Sequence, residues 1–95
     1  DVVLVEGVGG WMAPLRADAT VKHLVEQLGL PTLLIVGLRL GCLNHALLTA
    51  HAIEQSPCEF AGWIANAVDH HCQLQNESVF YLQLFLYRFL SYLIC

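Results

Sequence analysis

Short apolar runs that end at glycine turns are the feature that most constrains the fold of this chain. Residues 2–5 (VVLV) form one such run, followed by Glu6 and a turn with three glycines. Residues 32–36 (TLLIV) form a second run, which ends at Gly37. Short apolar runs before turns are typical of strands that are buried on both faces. The sequence therefore predicts buried strands with turns at their carboxyl ends.

Strand and helix patterns alternate along the chain. Thr20 is a helix cap and Gly29 a stop signal, and a second helix is broken at Ser56 and Pro57. The predicted strands are residues 2–5, 32–36 and 60–65, the predicted helices are residues 20–28 and 42–55, and residues 7–18 are a loop. This order predicts right-handed crossovers and a parallel sheet, which is an α/β fold.

The composition is unusually apolar for a domain of this size. The chain has 95 residues, of which 57% are hydrophobic, as expected for the interior of a larger α/β domain. It also begins at Asp1, within a predicted strand, and has no initiator methionine. We therefore interpret the sequence as a fragment.

The charge and the cysteines limit the partners and the redox chemistry expected of the chain. The net charge is −4 with four scattered basic residues, which argues against a nucleic-acid partner. The four cysteines lack close pairs and are expected to be reduced thiols. Because no amino-terminal targeting segment is visible, we expect a cytoplasmic protein.

Polar groups follow each of the three predicted strands. Glu6 follows the first, the turn from Gly41 to Asn44 lies after the second, and Asn66 ends the third. Ligands of parallel α/β sheets bind at the carboxyl ends of strands. A carboxylate beside glycines suits Mg²⁺ and a nucleotide. The same residues are also typical of a strand-end carboxylate, a tight turn and a capped helix start without any ligand.

Three blocks carry a resemblance to a known family. DVVLVEGVGGW, LPTLLIVGLRLGCLNHALLTAHAI and FAGWIANAVD occur in that order within residues 1–69, and together they resemble dethiobiotin synthase, an ATP-dependent enzyme family of biotin biosynthesis. The resemblance implies a P-loop-NTPase-like three-layer α/β fold with a mostly parallel sheet, and a homodimer. It covers the carboxyl-terminal half of that enzyme, since this sequence has no G-x-x-x-x-G-K-T phosphate-binding loop.

The resemblance also implies a reaction. The family closes a ring by carboxylating diaminononanoate with CO₂ to form dethiobiotin, and it uses ATP and Mg²⁺. Without the phosphate-binding lysine, phosphoryl transfer loses its main cation. We therefore expect the chain to be inactive alone. The alternative is a non-catalytic relic that acts at most as an interaction module.

Carried over to this sequence, the resemblance assigns binding roles and no catalytic residue. Glu6 is the expected Mg²⁺ ligand. The nucleotide is expected at Glu6, Gly7, Gly9, Gly10 and Asn66, where the Asn66 amide recognises adenine. The substrate carboxylate is expected at the helix start formed by Gly41, Cys42, Leu43 and Asn44, across the dimer interface.

The chain departs from the family after Asp69. We divide it into a partial domain at residues 1–69 and a divergent apolar tail at residues 70–95, which lacks the family's A-P-L-L-G segment. Residues 79–95 are nearly all apolar, but their short length and Arg88 favour a buried helix or a non-native end over a membrane span.

Two other interpretations account for parts of the sequence. A zinc site would use Cys42, His45, His70, His71 and Cys72, but their spacing does not match two ligand pairs in a loop-rich fold. Other P-loop relatives, such as amide-forming cobyrinate synthases or partition ATPases, share the strand ends but lack the G-C-x-N-H-A block.

Overall fold

The structure is a computed structural model that describes residues 1–67, 75–86 and 90–94. The elements are β1 (Pro14–Arg16), β2 (Ala19–Thr20), α1 (Val21–Leu28), β3 (Thr32–Gly37), α2 (Cys42–Gln55), β4 (Phe60–Asn66), α3 (Gln75–Phe85) and β5 (Leu90–Ile94). The alternation of strands and helices confirms the predicted α/β class.

Three parallel strands form the main sheet, in the order β3-β4-β5. β3 pairs with β4 so that Val36 lies beside Ala65 and Gly37 lies beside Asn66. β5 is parallel to β4 on the other side. The predicted parallel pairing of the runs at residues 32–36 and 60–65 is therefore confirmed.

The core lies on one face of this sheet. Val36 and Ala65 project from that face toward α2, whose small residues Ala46 and Ala50 let the helix approach closely. The buried cluster consists of Val36, Leu38, Cys42, Ala46, Ala50, Trp63, Ala65, Leu82 and Leu86. The described residues thus contribute the sheet and one helical layer of the three layers expected. On the opposite face, Leu33 and Ile35 are about half exposed.

The helix ends match the predicted signals. Thr20 is the N-cap of α1, and Gly29 ends it with a left-handed φ of 64°. The Gly29 N–H donates to the Val25 carbonyl at 3.1 Å, an arrangement that glycine adopts without a Cβ penalty. α2 begins after Gly41 and ends before Ser56, as predicted.

The predicted strand at residues 2–5 is wrong. These residues have no strand conformation, and their side chains are 55–87% exposed. A buried strand needs a neighbouring strand to accept its hydrogen bonds and helices to cover its side chains. Among residues 1–67, 75–86 and 90–94, none pairs with this segment, so its apolar sequence alone does not make it a strand.

The predicted loop at residues 7–18 is more regular than expected. Its end contains β1, which forms a small antiparallel hairpin with β2 and places Pro14 opposite Thr20. An exposed ion pair joins Arg16 Nε to Asp18 Oδ1 at 2.7 Å in the hairpin turn. The hairpin delivers the chain directly to the start of α1.

The apolar tail continues the alternation of helix and strand. α3 buries Leu82 against the core cluster and leaves Phe80, Tyr81, Leu84 and Phe85 substantially exposed. The expected buried helix is therefore buried along one side only, and β5 was not predicted. Within the described part of the chain, no helix combines the length and hydrophobicity needed to cross a bilayer. The boundary at residue 69 remains a prediction.

Two leucines of α3 test whether this helix belongs to the folded core. We predict that Leu82→Ala lowers the free energy of unfolding by about 2–5 kcal/mol, because it leaves a cavity at a fully buried position. Leu84→Ala, on the exposed side of the same helix, is the matched control and is expected to change stability by less than about 0.5 kcal/mol. Urea denaturation followed by circular dichroism measures both, and equal effects would contradict a packed α3.

Candidate functional site

Glu6 lies in the irregular segment before the glycine turn. Its side chain is exposed and makes no hydrogen bond or ion pair with any described residue. The next residue, Gly7, lies close to α1. A Cβ at Gly7 would be only 3.3 Å from Val21 Cγ1. Glu6 thus precedes a residue that lies close to the start of α1, and its own side chain is exposed to solvent.

The glycine turn has a backbone that other residues rarely adopt. Gly9 and Gly10 have φ values of 92° and 106°, in the left-handed region. The Ala13 N–H donates to the Gly10 carbonyl at 3.1 Å and closes the turn. Side chains with a Cβ are strained at such φ values, so the paired glycines are required by the backbone path itself.

The start of α2 offers backbone groups more than side chains. Cys42 packs in the core cluster, and its N–H donates to the Arg39 carbonyl at 3.0 Å. Gly41 provides no side-chain cap, so the first turn presents the N–H groups of Leu43 and Asn44 outside the helix's own hydrogen-bond ladder. This is the kind of helix terminus at which carboxylates and phosphates bind. Of the four predicted substrate-binding residues, Cys42 has a side chain that is buried in the core and does not face a ligand at the helix start.

Asn66 is the last residue of β4 and is half-buried. Its carbonyl accepts the Leu38 N–H at 2.8 Å, and it lies beside Gly37 in the sheet register. Asn66 therefore lies at the carboxyl edge of the sheet, where the connection from β3 to α2 begins. This is the position predicted for it from the sequence.

The glycine turn meets α2 at its middle. An open groove of about 390 Å³ lies between them. Its lining consists of Gly9, Gly10, Trp11, Met12, Ala13, Leu48, Thr49 and Ala52. Leu48 is six residues beyond Cys42, about 9 Å along the helix axis. The structure thus brings Gly9 and Gly10 to α2, but not to the helix start that the sequence suggested for the substrate.

Sequence reasoning missed Trp11, Leu48 and Thr49. Trp11 is 8% exposed, and its indole Nε1 is buried without a hydrogen-bond partner. The Thr49 hydroxyl donates its hydrogen to the His45 carbonyl at 2.7 Å, so this hydrogen is not available to a ligand. The available signal was the spacing of Leu48 and Ala52, which places both on one side of the helix. The described residues contain no metal-binding cluster: Cys42 is buried and His45 exposed, and the other residues of the zinc alternative lie outside the described ranges.

Comparisons with known proteins agree with the three sequence blocks. The profile of a family described as "AAA domain" matches residues 1–86. The ATP-dependent dethiobiotin synthetase BioD of Nitrosospira multiformis is 48% identical over 83 residues, covering 87% of this chain and 37% of the relative. The enzymes of the same name from Xanthomonas oryzae (PXO99A) and Serratia marcescens are 52% identical over 79 residues and 56% identical over 68 residues.

Coverage is unequal on the two sides of these alignments. The Xanthomonas alignment covers 83% of this chain and 35% of the relative, and the Serratia alignment covers 72% and 30%. The chain thus spans about a third of the length of the curated relatives it matches. The resemblance to the dethiobiotin synthase family inferred from the three blocks is confirmed.

The two left-handed glycines give a graded test of the turn. We predict that Gly10→Ala lowers the free energy of unfolding by about 1 kcal/mol through backbone strain, since nothing lies near the added Cβ. Gly9→Ala is expected to cost more, because its Cβ would also lie 3.1 Å from Ala13 Cβ. Urea denaturation of both variants measures the difference, and a larger loss for Gly10→Ala would contradict the described turn.

Proposed function

Because the chain belongs to the AAA domain family, we propose that it works as part of an ATP-dependent dethiobiotin synthetase. The observation that carries the proposal is that relatives with that name are 48–56% identical to this chain. The chain spans only about a third of their length. The activity, substrates and partners of the whole enzyme are therefore proposed for the assembly to which this chain contributes.

Glu6 is the proposed Mg²⁺ ligand. Mg²⁺ binds through one or two carboxylates and leaves its other positions to phosphate oxygens and water. The exposed Glu6 carboxylate, unpaired within the described residues, fits that donor set. When bound, the ion neutralises charge on the phosphoryl group that ATP transfers. The adjacent Gly7, Gly9 and Gly10 are proposed to let the backbone approach the phosphates, since they carry no side chains.

Asn66 is proposed to recognise adenine. Its side-chain amide offers a donor and an acceptor, which matches the donor and acceptor on an adenine edge. Its backbone is held by the Leu38 hydrogen bond and by pairing in the sheet. A base bound there would be oriented by a rigid strand end rather than by a mobile loop.

The start of α2 is proposed to hold the substrate carboxylate. Leu43 and Asn44 would contribute backbone N–H groups at the positive end of the helix dipole. Gly41 leaves that terminus open, and Cys42 anchors the first turn in the core. In the family arrangement this carboxylate comes from the active site of a second subunit, so the proposal includes a homodimer, in the cytoplasm.

The proposed substrate is diaminononanoate, and the reaction needs no nucleophile from this chain. One substrate amine adds to CO₂ and loses a proton to form a carbamate. ATP phosphorylates the carbamate oxygen and leaves ADP. The neighbouring amine then attacks the carbonyl carbon and expels phosphate, which closes the ring of dethiobiotin. The residues described here bind and orient, and no catalytic role is assigned to them.

A second candidate function is a non-catalytic interaction module. The observation that favours it is the exposed apolar side of α3, formed by Phe80, Tyr81, Leu84 and Phe85. The rings of Phe80 and Tyr81 lie edge to face with centroids 5.7 Å apart. Exposed patches of this kind mark interaction surfaces in soluble proteins. Turnover and ligand binding distinguish the two candidates.

Substitution of Glu6 tests the metal proposal. We predict that Glu6→Gln lowers the affinity for Mn²⁺·ATP about ten-fold, because a neutral amide is a weaker ligand for a hard divalent cation than a carboxylate. Paramagnetic broadening of the amide signals of Gly7, Gly9 and Gly10 by Mn²⁺·ATP measures the affinity. Glu59→Gln, at another exposed glutamate, is the control. Unchanged broadening in Glu6→Gln would contradict the assignment.

The purified 95-residue chain is expected to show no synthase turnover. This sequence contains no G-x-x-x-x-G-K-T loop, so the lysine that neutralises the transferred phosphoryl group is missing. Release of phosphate from ATP in the presence of diaminononanoate and CO₂ is the measurement. Dethiobiotin formation by the chain alone would overturn this prediction, whereas Mn²⁺·ATP binding without turnover favours the synthetase part over the interaction module.

A further inference from the structure

The start of α1 is capped by a histidine. The Thr20 N–H donates to His23 Nδ1 at 2.9 Å, and Thr20 Oγ1 lies 3.2 Å from the same nitrogen. His23 is the third residue of the helix, the position that Glu or Gln occupies in a capping box. A neutral imidazole can accept at Nδ1, but a protonated imidazole only donates. This cap therefore depends on the protonation state of His23.

The capped helix start holds the glycine turn. The Val21 N–H donates to the Ala13 carbonyl and the Lys22 N–H donates to the Trp11 carbonyl, both at 2.9 Å. These N–H groups belong to the first two residues of α1, where a helix has no acceptor of its own. They bond the residues that follow Gly10 in the turn. The position of the turn therefore depends on the order of the first turn of α1.

The packing of Val21 reinforces this connection. Its side chain is buried, and a Cβ at Gly7 would lie 3.3 Å from its Cγ1. Both ends of the segment from Gly7 to Ala13 thus contact the same residue of α1, one through a side chain and one through a hydrogen bond. Thr20 and His23 flank this residue in the sequence.

We propose that His23 is a positioning residue for the glycine turn, which neutral His23 holds in place and protonated His23 releases. With neutral His23, Nδ1 accepts the Thr20 N–H and the first turn of α1 is ordered. With protonated His23, Nδ1–H faces the Thr20 N–H, and the nearby acceptor becomes Thr20 Oγ1. The Thr20 N–H then loses its partner, and the two bonds from Val21 and Lys22 to the turn weaken.

Four charged groups near this cap form two ion pairs, and Glu6, which precedes Gly7, is in neither pair. On α1, Lys22 Nζ lies 3.7 Å from Glu26 Oε1, and the hairpin packed against α1 contains the pair of Arg16 and Asp18. No ion pair joins His23 to a described acidic residue. The His23 side chain is exposed. Because histidine side chains in general change charge between pH 5 and 8, pH values near the two ends of that interval test the proposal.

Amide hydrogen exchange of the 95-residue chain at pH 7.5 and 5.5 tests the proposal. For the native sequence we expect the protection factors of Val21 and Lys22 to fall about five-fold at pH 5.5, since a lost cap costs about 1 kcal/mol. His23→Glu keeps an acceptor at both pH values and should hold the protection. His23→Leu should show low protection at both. Protection of Val36 and Ile64 in the sheet reports whether each variant is folded.

The result that overturns the proposal is a fall of the same size in His23→Glu, because the other histidines are retained in that variant. High protection in His23→Leu at pH 7.5 overturns it equally. The link to ligand binding rests on the proposed function and is measured separately, as Mn²⁺·ATP broadening of the turn at the two pH values. Absent broadening with a pH-dependent exchange means that the nucleotide proposal fails while the positioning role stands.

Discussion

The parallel pairing of β3 with β4, covered on one face by α2, is the interaction on which the rest of the described structure depends. It places Gly37 beside Asn66 and so defines the carboxyl edge of the sheet. Ala46 and Ala50 allow α2 to pack closely over Val36 and Ala65. Because α2 begins right after this edge, the open helix start at Gly41 and the strand end at Asn66 are positioned by one hydrophobic core. The proposed substrate and adenine contacts share that support.

The glycine turn is positioned in a different way. It is bonded to the start of α1 rather than to a strand, through two backbone hydrogen bonds and the buried side chain of Val21. Among residues 1–20, Trp11 alone is buried, and regions with few buried side chains open at lower cost than a core strand. The proposed Mg²⁺ ligand Glu6 therefore belongs to the less stable half of the site. A small change at the cap of α1 has more influence there than on Asn66.

Local signals in the sequence correctly predicted α1, α2, β3 and β4. These elements are stabilised by neighbouring residues or by partners among the described residues. Thr20 and Gly29 delimit α1, and Gly41 and Ser56 delimit α2, because caps and left-handed ends act on adjacent backbone groups. The runs that became β3 and β4 form strands because each is the other's partner. The run at residues 2–5 is also apolar but has no partner among the described residues, so it forms no strand and is exposed. Strand propensity describes whether a segment can form a strand. Whether it does so depends on the presence of a partner strand.

By itself, the sequence determined the family, the α/β class, the boundaries of α1 and α2 and the identity of the candidate ligands Glu6 and Asn66, because motifs and caps are properties of neighbouring residues. Only the tertiary structure decided which of these come together. It brings Gly9 and Gly10 to the middle of α2 beside Leu48, hides the side chain of Cys42 in the core and bonds Trp11 and Ala13 to the first turn of α1. Contacts between residues far apart in the chain depend on how helices and strands pack, and no local pattern encodes that packing.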